Sequence, residues 1–290
     1  MAMNWDFKNA EELLRKCSDH AVPISEVMLR REIQLGQVGR ENVLEHVDNR
    51  LRVMHVSASK AISDPVQSTG GLIGGEAKKL SELDESKAIC GPTIHKAIVS
   101  ALSVAETNAS MGKIIAAPTA GSAGVLPAVL FSYYEEHNVS MDVMRQGFIN
   151  ASAIGYILSR NGSVAGAEAG CQAEVGSASA MAASALVEML GGTPEQCCMA
   201  ASIALSNLLG LVCDPVRGLV EVPCQSRNAM GAVGAYTAAE LALAEAGTCI
   251  PLDEMVQIVL DVGHALPSSL RETGKGGCAV APSMCKDCGK

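Results

Sequence analysis

Aromatic side chains are scarce in this 290-residue chain: one Trp, three Phe and four Tyr, 3% of the whole. So few rings exclude a stacking platform for single-stranded nucleic acid. Basic residues are outnumbered, 22 Lys and Arg against 31 Asp and Glu, for a formal charge of −9. That sign excludes nucleic acid and an anionic membrane surface as the main partner, because both need basic patches to offset phosphate. Charge of either sign is thin, at 18%, whereas 48% of residues are hydrophobic, which excludes global disorder and supplies a large core. No uninterrupted apolar span stands out. Ile114 to Tyr134 is broken by Pro118, Gly121, Gly124 and Pro127, and Gln196 to Cys213 is at the short limit for a bilayer. The N-terminal stretch MAMNWDFKNAEELLRKC lacks a signal-like apolar region, so a soluble, cytoplasmic protein is expected.

What is abundant is small. Forty-one Ala and 28 Gly suit helices packed with their backbones close together. Helical periodicity covers Ala10 to Lys16, Ser25 to Leu35, Arg40 to Ile62, Thr93 to Ser110, Ser226 to Glu245 and Leu252 to Leu266. Ser140 predicts a helix start, and Thr193-Pro194-Glu195-Gln196 predicts a capping box. Residues 64–91 read as a long loop or flap, Lys113 to Ala117 as a short strand, and the tail from Pro267 as irregular. The prediction is a mainly α fold with few or no strands: an N-terminal helical arm, 1–63, and a catalytic part, 64–290, with a flexible C-terminal tail, in one continuous domain.

Charge is uneven. Residues 1–60 carry 18 charged side chains, but 161–220 carry only Glu168, Glu174, Glu188, Glu195, Asp214 and Arg217. The second stretch reads as interior, where each charge needs a reason. Eleven cysteines without an export signal point away from disulfides and toward metal, cluster or redox chemistry. Cys17, Cys90, Cys197, Cys198 and Cys249 sit in ordinary helical or pre-turn contexts and read as small core hydrophobes. Cys171, Cys213 and Cys224 lie beside Gly or Pro, in NGSVAGAEAGCQAEVGSASA and CDPVRGLVEVPC, where a flexible backbone can bend around a metal. There is no CxxCxxC run, so spacing alone leaves a shared metal site and scattered core cysteines both open.

The stretches STGGLIGGEAKKL, SMGKIIAAPTAGSAGVLPAVL, GSVAGAEAGCQAEVGSASAMAA, CDPVRGLVEVPCQSRNAMGAVGAY and LRETGKGGCAVAPS run in one order from about Ser68 to Ser283. In them the chain resembles the alpha subunit of the iron–sulfur-dependent L-serine dehydratases. The resemblance implies an oxygen-labile [4Fe–4S] cluster on Cys171, Cys213 and Cys224, with one iron left open as a Lewis acid for the hydroxyl of L-serine, which becomes pyruvate and ammonia. No pyridoxal phosphate is then needed. Such a lyase using Lys113 would alternate strands and helices, which this chain does not. Rival readings are an L-cysteine desulfidase on the same cluster and a non-catalytic helical subunit.

Around that cluster, Pro118 to Gly124 (PTAGSAG) reads as a carboxylate cradle built on Thr119, Gly121, Ser122, Ala123 and Gly124, or as a tight turn with close backbone packing. Lys113 could assist an anion or be a solvated charge. Arg271, Lys275 and the Gly276-Gly277 pair could close over the substrate or lie on the surface. The general base is open. His264, on an apolar helix face, reads as a core histidine, and His55 and His95 are ambiguous. Single-chain relatives carry an SSHT-type histidine motif in a region corresponding to a separate beta subunit. This chain has none, so the resemblance implies a base from a beta-subunit partner and a hetero-oligomer. Cys285 and Cys288 form a lone CKDC: zinc without a second pair, a redox pair, or, by resemblance, a resting-state fourth ligand to the open iron.

Overall fold

A computed structural model describes residues 4–247 and 250–284. Twelve α-helices account for most of them: α1 Ala10–His20, α2 Ile24–Gly36, α3 Arg40–Ser63, α4 Glu76–Ser81, α5 Gly91–Ala109, α6 Val125–His137, α7 Met141–Asn161, α8 Gly166–Ala169, α9 Ser177–Met189, α10 Pro194–Asn207, α11 Cys224–Leu243 and α12 Leu252–Ala265. Among the described residues there is no sheet; a single parallel bridge joins Cys213 to Arg271. No described helix is long and apolar enough to cross a membrane.

The helix starts follow from local chemistry. Thr193 and Gln196 form a reciprocal capping box on α10, and Ser140 Oγ accepts from the Val143 amide on α7. Two other starts are satisfied from far away. Asp253 accepts from the first amides of α1, Ala10 N at 2.8 Å and Glu11 N at 3.0 Å. Buried Glu188, at the end of α9, accepts from Ser25 N at the start of α2 and from Asn150 Nδ2. In both cases a carboxylate meets the positive end of a helix, where orphan N–H groups need an acceptor.

All thirteen residues of α9, SASAMAASALVEM, are buried. It lies at the centre, against α6, α7, α10 and α11. Ala and Ser keep its girth small, so four neighbours can approach on all sides, and its hydroxyls bond inside the fold: Ser179 Oγ to Gly231 O and Ser184 Oγ to Asn150 Oδ1. Outside it, Leu126, Leu130, Met144, Ile154 and Ile157 complete a core that Phe7, Leu13, Ile24, Leu51 and Met54 of the first 63 residues join. Around that core α2 packs on α7 and α3 on α5.

Three expectations change. Lys113 to Ala117 is extended but not a strand, because no second strand lies beside it to share a ladder. The 64–91 stretch contains α4, whose start is secured by α5: Glu106 accepts from Gly75 N and Ala77 N, both at 2.7 Å. Cys90 is exposed rather than a core residue, whereas Cys17, Cys197 and Cys198 are buried as expected. Cys249 lies outside the described residues.

Gly263 of α12 sits so close to α8 that a Cβ there would stand 2.5 Å from Ala169 Cβ and 2.6 Å from its Cα. Ala has the better helix propensity by about 1 kcal/mol, but backbone cannot yield, and overpacking costs about 1–3 kcal/mol. Gly263→Ala should therefore destabilise. At Gly234 of α11 the nearest atom to a new Cβ is Ser179 Oγ at 3.7 Å, an ordinary contact. Gly234→Ala should be neutral or stabilising by up to about 1 kcal/mol. Thermal or urea unfolding of the pair checks the opposite signs.

Candidate functional site

Cys171 is the residue at which the chain turns into a π-helical stretch, Gln172–Gly176, that runs directly into α9. Such π turns displace side chains from helical register and recur at functional sites. Cys213 lies on the segment after α10, and Cys224 is the first residue of α11. All three thiols are buried. Burial pushes the Cys171 thiol up to about 12, helped by the negative charges of Glu174 and Cys224. Burial with Glu174 takes Cys224 to about 11. Cys213 is raised by burial and then by Cys171, Glu174, Glu272 and Cys224. The sulfurs are thus within electrostatic reach of one another and of one carboxylate, and they favour a positive centre in place of their protons.

Arg227 supplies fixed positive charge. It lies one turn into α11 from Cys224 and within electrostatic reach of the Cys171 thiol, donates from Nη1 to Val212 O at 2.8 Å, and stands 2.7 Å from Asp214 Oδ1 in an ion pair not aligned as a hydrogen bond. On the other side of Asp214, Oδ2 accepts the Cys278 amide at 2.6 Å, which with Arg227 outweighs burial and holds this carboxyl below its usual range. The tail is stitched in beside it: Cys213 N donates to Leu270 O at 2.9 Å and Glu272 N to Cys213 O at 2.6 Å. Arg271 therefore sits next to Cys213. Its Nη1 donates to Glu168 O at 3.3 Å, and its Nε is buried without a partner.

Glu174, on the π turn, is where the loops converge. Its Oε1 accepts from Thr119 Oγ1 at 2.7 Å, and Thr119 Oγ1 lies 3.1 Å from Ser122 Oγ. A Cβ at Gly121 would stand 3.0 Å from Oε1. One at Gly166 would stand 2.6 Å from Oε2 and 2.8 Å from Cys213 Sγ. Only glycine leaves room for that carboxylate. Burial raises its pKa, and the negative charge of Glu272 adds to this against the Thr119 hydrogen bond.

The Pro118 to Gly124 loop divides in two. Gly124 N donates to Asn228 Oδ1 at 2.9 Å, Ala123 N to Ala120 O, and Asn228 Nδ2 donates to Gly121 O and Cys224 O. Asn228 thereby ties the loop to the Cys224 turn. The amides of Thr119, Ala120, Gly121 and Ser122 have no protein acceptor among the described residues and remain able to receive an anion. Lys113 is exposed at the foot of this segment. His264 is exposed, not a core histidine, because α12 docks through Gly263 on the adjoining face. His55 packs at a tilt against the Phe131 ring and lies 3.5 Å from Glu135, in a cavity of about 310 Å³ that it shares with His95 and Lys96 but with no residue of the cysteine site. Cys285 and Cys288 lie outside the described residues.

Among the described residues no three His, Cys, Asp or Glu side chains converge closely enough to hold a single metal ion. A four-iron cluster is wider than an ion, so its thiolates stand further apart. Three buried, mutually repelling sulfurs are a soft donor set that fits such a group. Sequence reasoning did not assign roles to Glu174, Asp214, Arg227, Asn228 or Glu221. For the first two a signal existed, since both are among the six charges in the otherwise uncharged 161–220 stretch.

A family model described as serine dehydratase alpha chain matches residues 19–279. A probable L-serine dehydratase alpha chain of Bacillus subtilis (strain 168) is 46% identical over 278 residues, 96% of this chain and 92% of that protein. The L-serine dehydratase alpha chain of Peptoniphilus asaccharolyticus is 45% identical over 271 residues, 93% of each chain. An L-serine dehydratase of Haemophilus influenzae is 37% identical over 289 residues, 95% of this chain but only 62% of its own length.

Glu221, buried in the segment between Cys213 and Cys224, accepts from Ser68 Oγ at 2.7 Å, Gly70 N at 2.6 Å and Leu72 N at 3.0 Å. It is the main anchor of the 68–72 turn. Hydrogen bonds to a charged acceptor are each worth about 1.5–3 kcal/mol. Glu221→Ala should therefore speed amide exchange at Gly70 and Leu72 by at least about tenfold, with little change in α9, as hydrogen-exchange mass spectrometry would record.

Proposed function

The chain belongs to the serine dehydratase alpha chain family, and on that footing we propose that it dehydrates and deaminates L-serine to pyruvate and ammonia in the cytoplasm, with a [4Fe–4S] cluster held by Cys171, Cys213 and Cys224 and with a beta subunit as partner. The observation that carries the reading is the grouping of these three buried thiols around Glu174, with the Arg227 guanidinium against Cys171. When bound, the cluster supplies a Lewis acid through the iron that lacks a protein ligand, easing departure of the β-hydroxyl.

The chain's own residues bind and orient. The free amides of Thr119, Gly121 and Ser122 face a carboxylate with oriented N–H dipoles, and the unpaired Nε of Arg271 offers a further donor beside Cys213. Burial of the thiols limits the access of bulk water to the leaving group. Arg227 offsets part of the negative charge of the thiolates, and Asp214 holds it there. The proton acceptor for the α-hydrogen comes from the beta subunit: neither His55, in its separate cavity, nor exposed His264 is tied to the cysteine site. The enamine released by loss of water tautomerises and hydrolyses to pyruvate and ammonia.

Cys171→Ser, Cys213→Ser and Cys224→Ser should each lose most iron and acid-labile sulfide after anaerobic purification, and essentially all activity, because an alkoxide is a poor substitute for thiolate on iron. Cys197→Ser, buried elsewhere, should keep both. Unchanged iron in the first three variants would refute the ligand set. The purified alpha chain with its cluster intact should be nearly inactive until the beta subunit is added; full turnover by the chain alone would refute the imported base.

A further inference from the structure

The charge balance at the cysteine site is incomplete. Glu174 is a half-buried carboxylate with one hydrogen bond among the described residues, from the neutral Thr119 hydroxyl. The charges acting on it are negative, those of Glu272 and the thiols. Of the two guanidinium groups at the site, Arg227 is committed to Asp214 and lies against the Cys171 thiol, and Arg271 is held at Glu168 O; Glu174 has no ion pair among the described residues. Withdrawing a carboxylate even partly from water without a cation beside it is unfavourable. Yet two glycines, Gly121 and Gly166, are placed so that this carboxylate can be there at all.

An amino acid is the ligand whose chemistry closes the balance. It carries a carboxylate, for which the loop amides and Arg271 Nε are unpaired donors, and a cationic α-ammonium, for which Glu174 is a carboxylate without an ion pair among the described residues. We infer that Glu174 receives the α-ammonium of the substrate and so makes this site select amino acids over hydroxy acids of the same length. The inference rests on the serine reading above. Glu174 lies on the rigid π turn leading into α9, three residues from Cys171, so the ammonium is held at a fixed offset from the cysteine-bound centre. The Thr119 hydrogen bond orients Oε1 and leaves carboxylate lone pairs for the ligand.

The test uses the complete enzyme, both subunits with cluster loaded, and compares wild type with Glu174→Gln. Two quantities are read: KM for L-serine, and the inhibition constant of 3-hydroxypropanoate, which is serine without its amino group. The expected result is a rise in serine KM of about tenfold or more, with the 3-hydroxypropanoate constant within about twofold of wild type and iron and sulfide content unchanged. Equal weakening of both ligands would overturn the proposal, as would an unchanged serine KM with kcat lost, which would assign Glu174 to proton transfer. Loss of iron in the variant would also overturn it, assigning the residue to cluster retention. A wild-type enzyme that binds 3-hydroxypropanoate but does not consume serine would instead sink the underlying reading, and the two failures are told apart by the wild-type assay alone.

Discussion

A helix with no solvent face must be narrow on every side, and α9 meets that demand with Ala, Ser and a few Leu, Val and Met. The rest of the molecule is arranged by this constraint. Four helices close around α9; the more highly charged N-terminal helices then pack on α6 and α7, while α5 lies against α11 and α12 against α10. Because the π turn and Cys171 continue α9 toward its N-terminus, the cysteine site is built on the most enclosed helix of the fold. A site on a rigid element keeps its geometry without support from ligands, and Cys213 and Cys224 are brought to it by the ends of α10 and α11, which pack on the same helix.

Buried carboxylates do much of the remaining assembly. Glu188, Glu106 and Glu221 are buried, and each gathers amide donors from a segment at least 29 residues away. Asp253 does the same for the start of α1. In a chain with so few charges, each acid is used where several backbone N–H groups would otherwise be buried without an acceptor. Their satisfaction explains why an interior poor in aromatic bulk can still specify where each loop docks.

Helices whose ends are written locally were legible in the sequence. The Thr193 box needs only four consecutive residues, and the Gly/Cys context of Cys171, Cys213 and Cys224 marked the residues that the fold groups together. Features that depend on partners distant in the chain were not legible. The 113–117 segment has strand composition, but no neighbouring strand. His264 sits among Val262 and Leu266, which are themselves only partly buried, because contact with α8 runs through Gly263. Glu174 could be flagged as a charge needing a reason, but its neighbours come from elsewhere: Thr119 from a loop 55 residues away and Gly166 from the start of α8. Only the fold brings them to one point.

The close approach of Gly121 and Gly166 to the Glu174 carboxylate binds three separate stretches of sequence into one inheritable unit. A side chain at either glycine would strike the acid, and shortening the acid to Asp would vacate the space that either glycine keeps clear. Among relatives, these positions should therefore change together or not at all: a family branch that gains a methyl at 121 or 166 is free to do so only once position 174 has surrendered its length. Drift at either glycine is opposed by the acid, so a larger residue at 121 or 166 follows a change at 174 rather than preceding it.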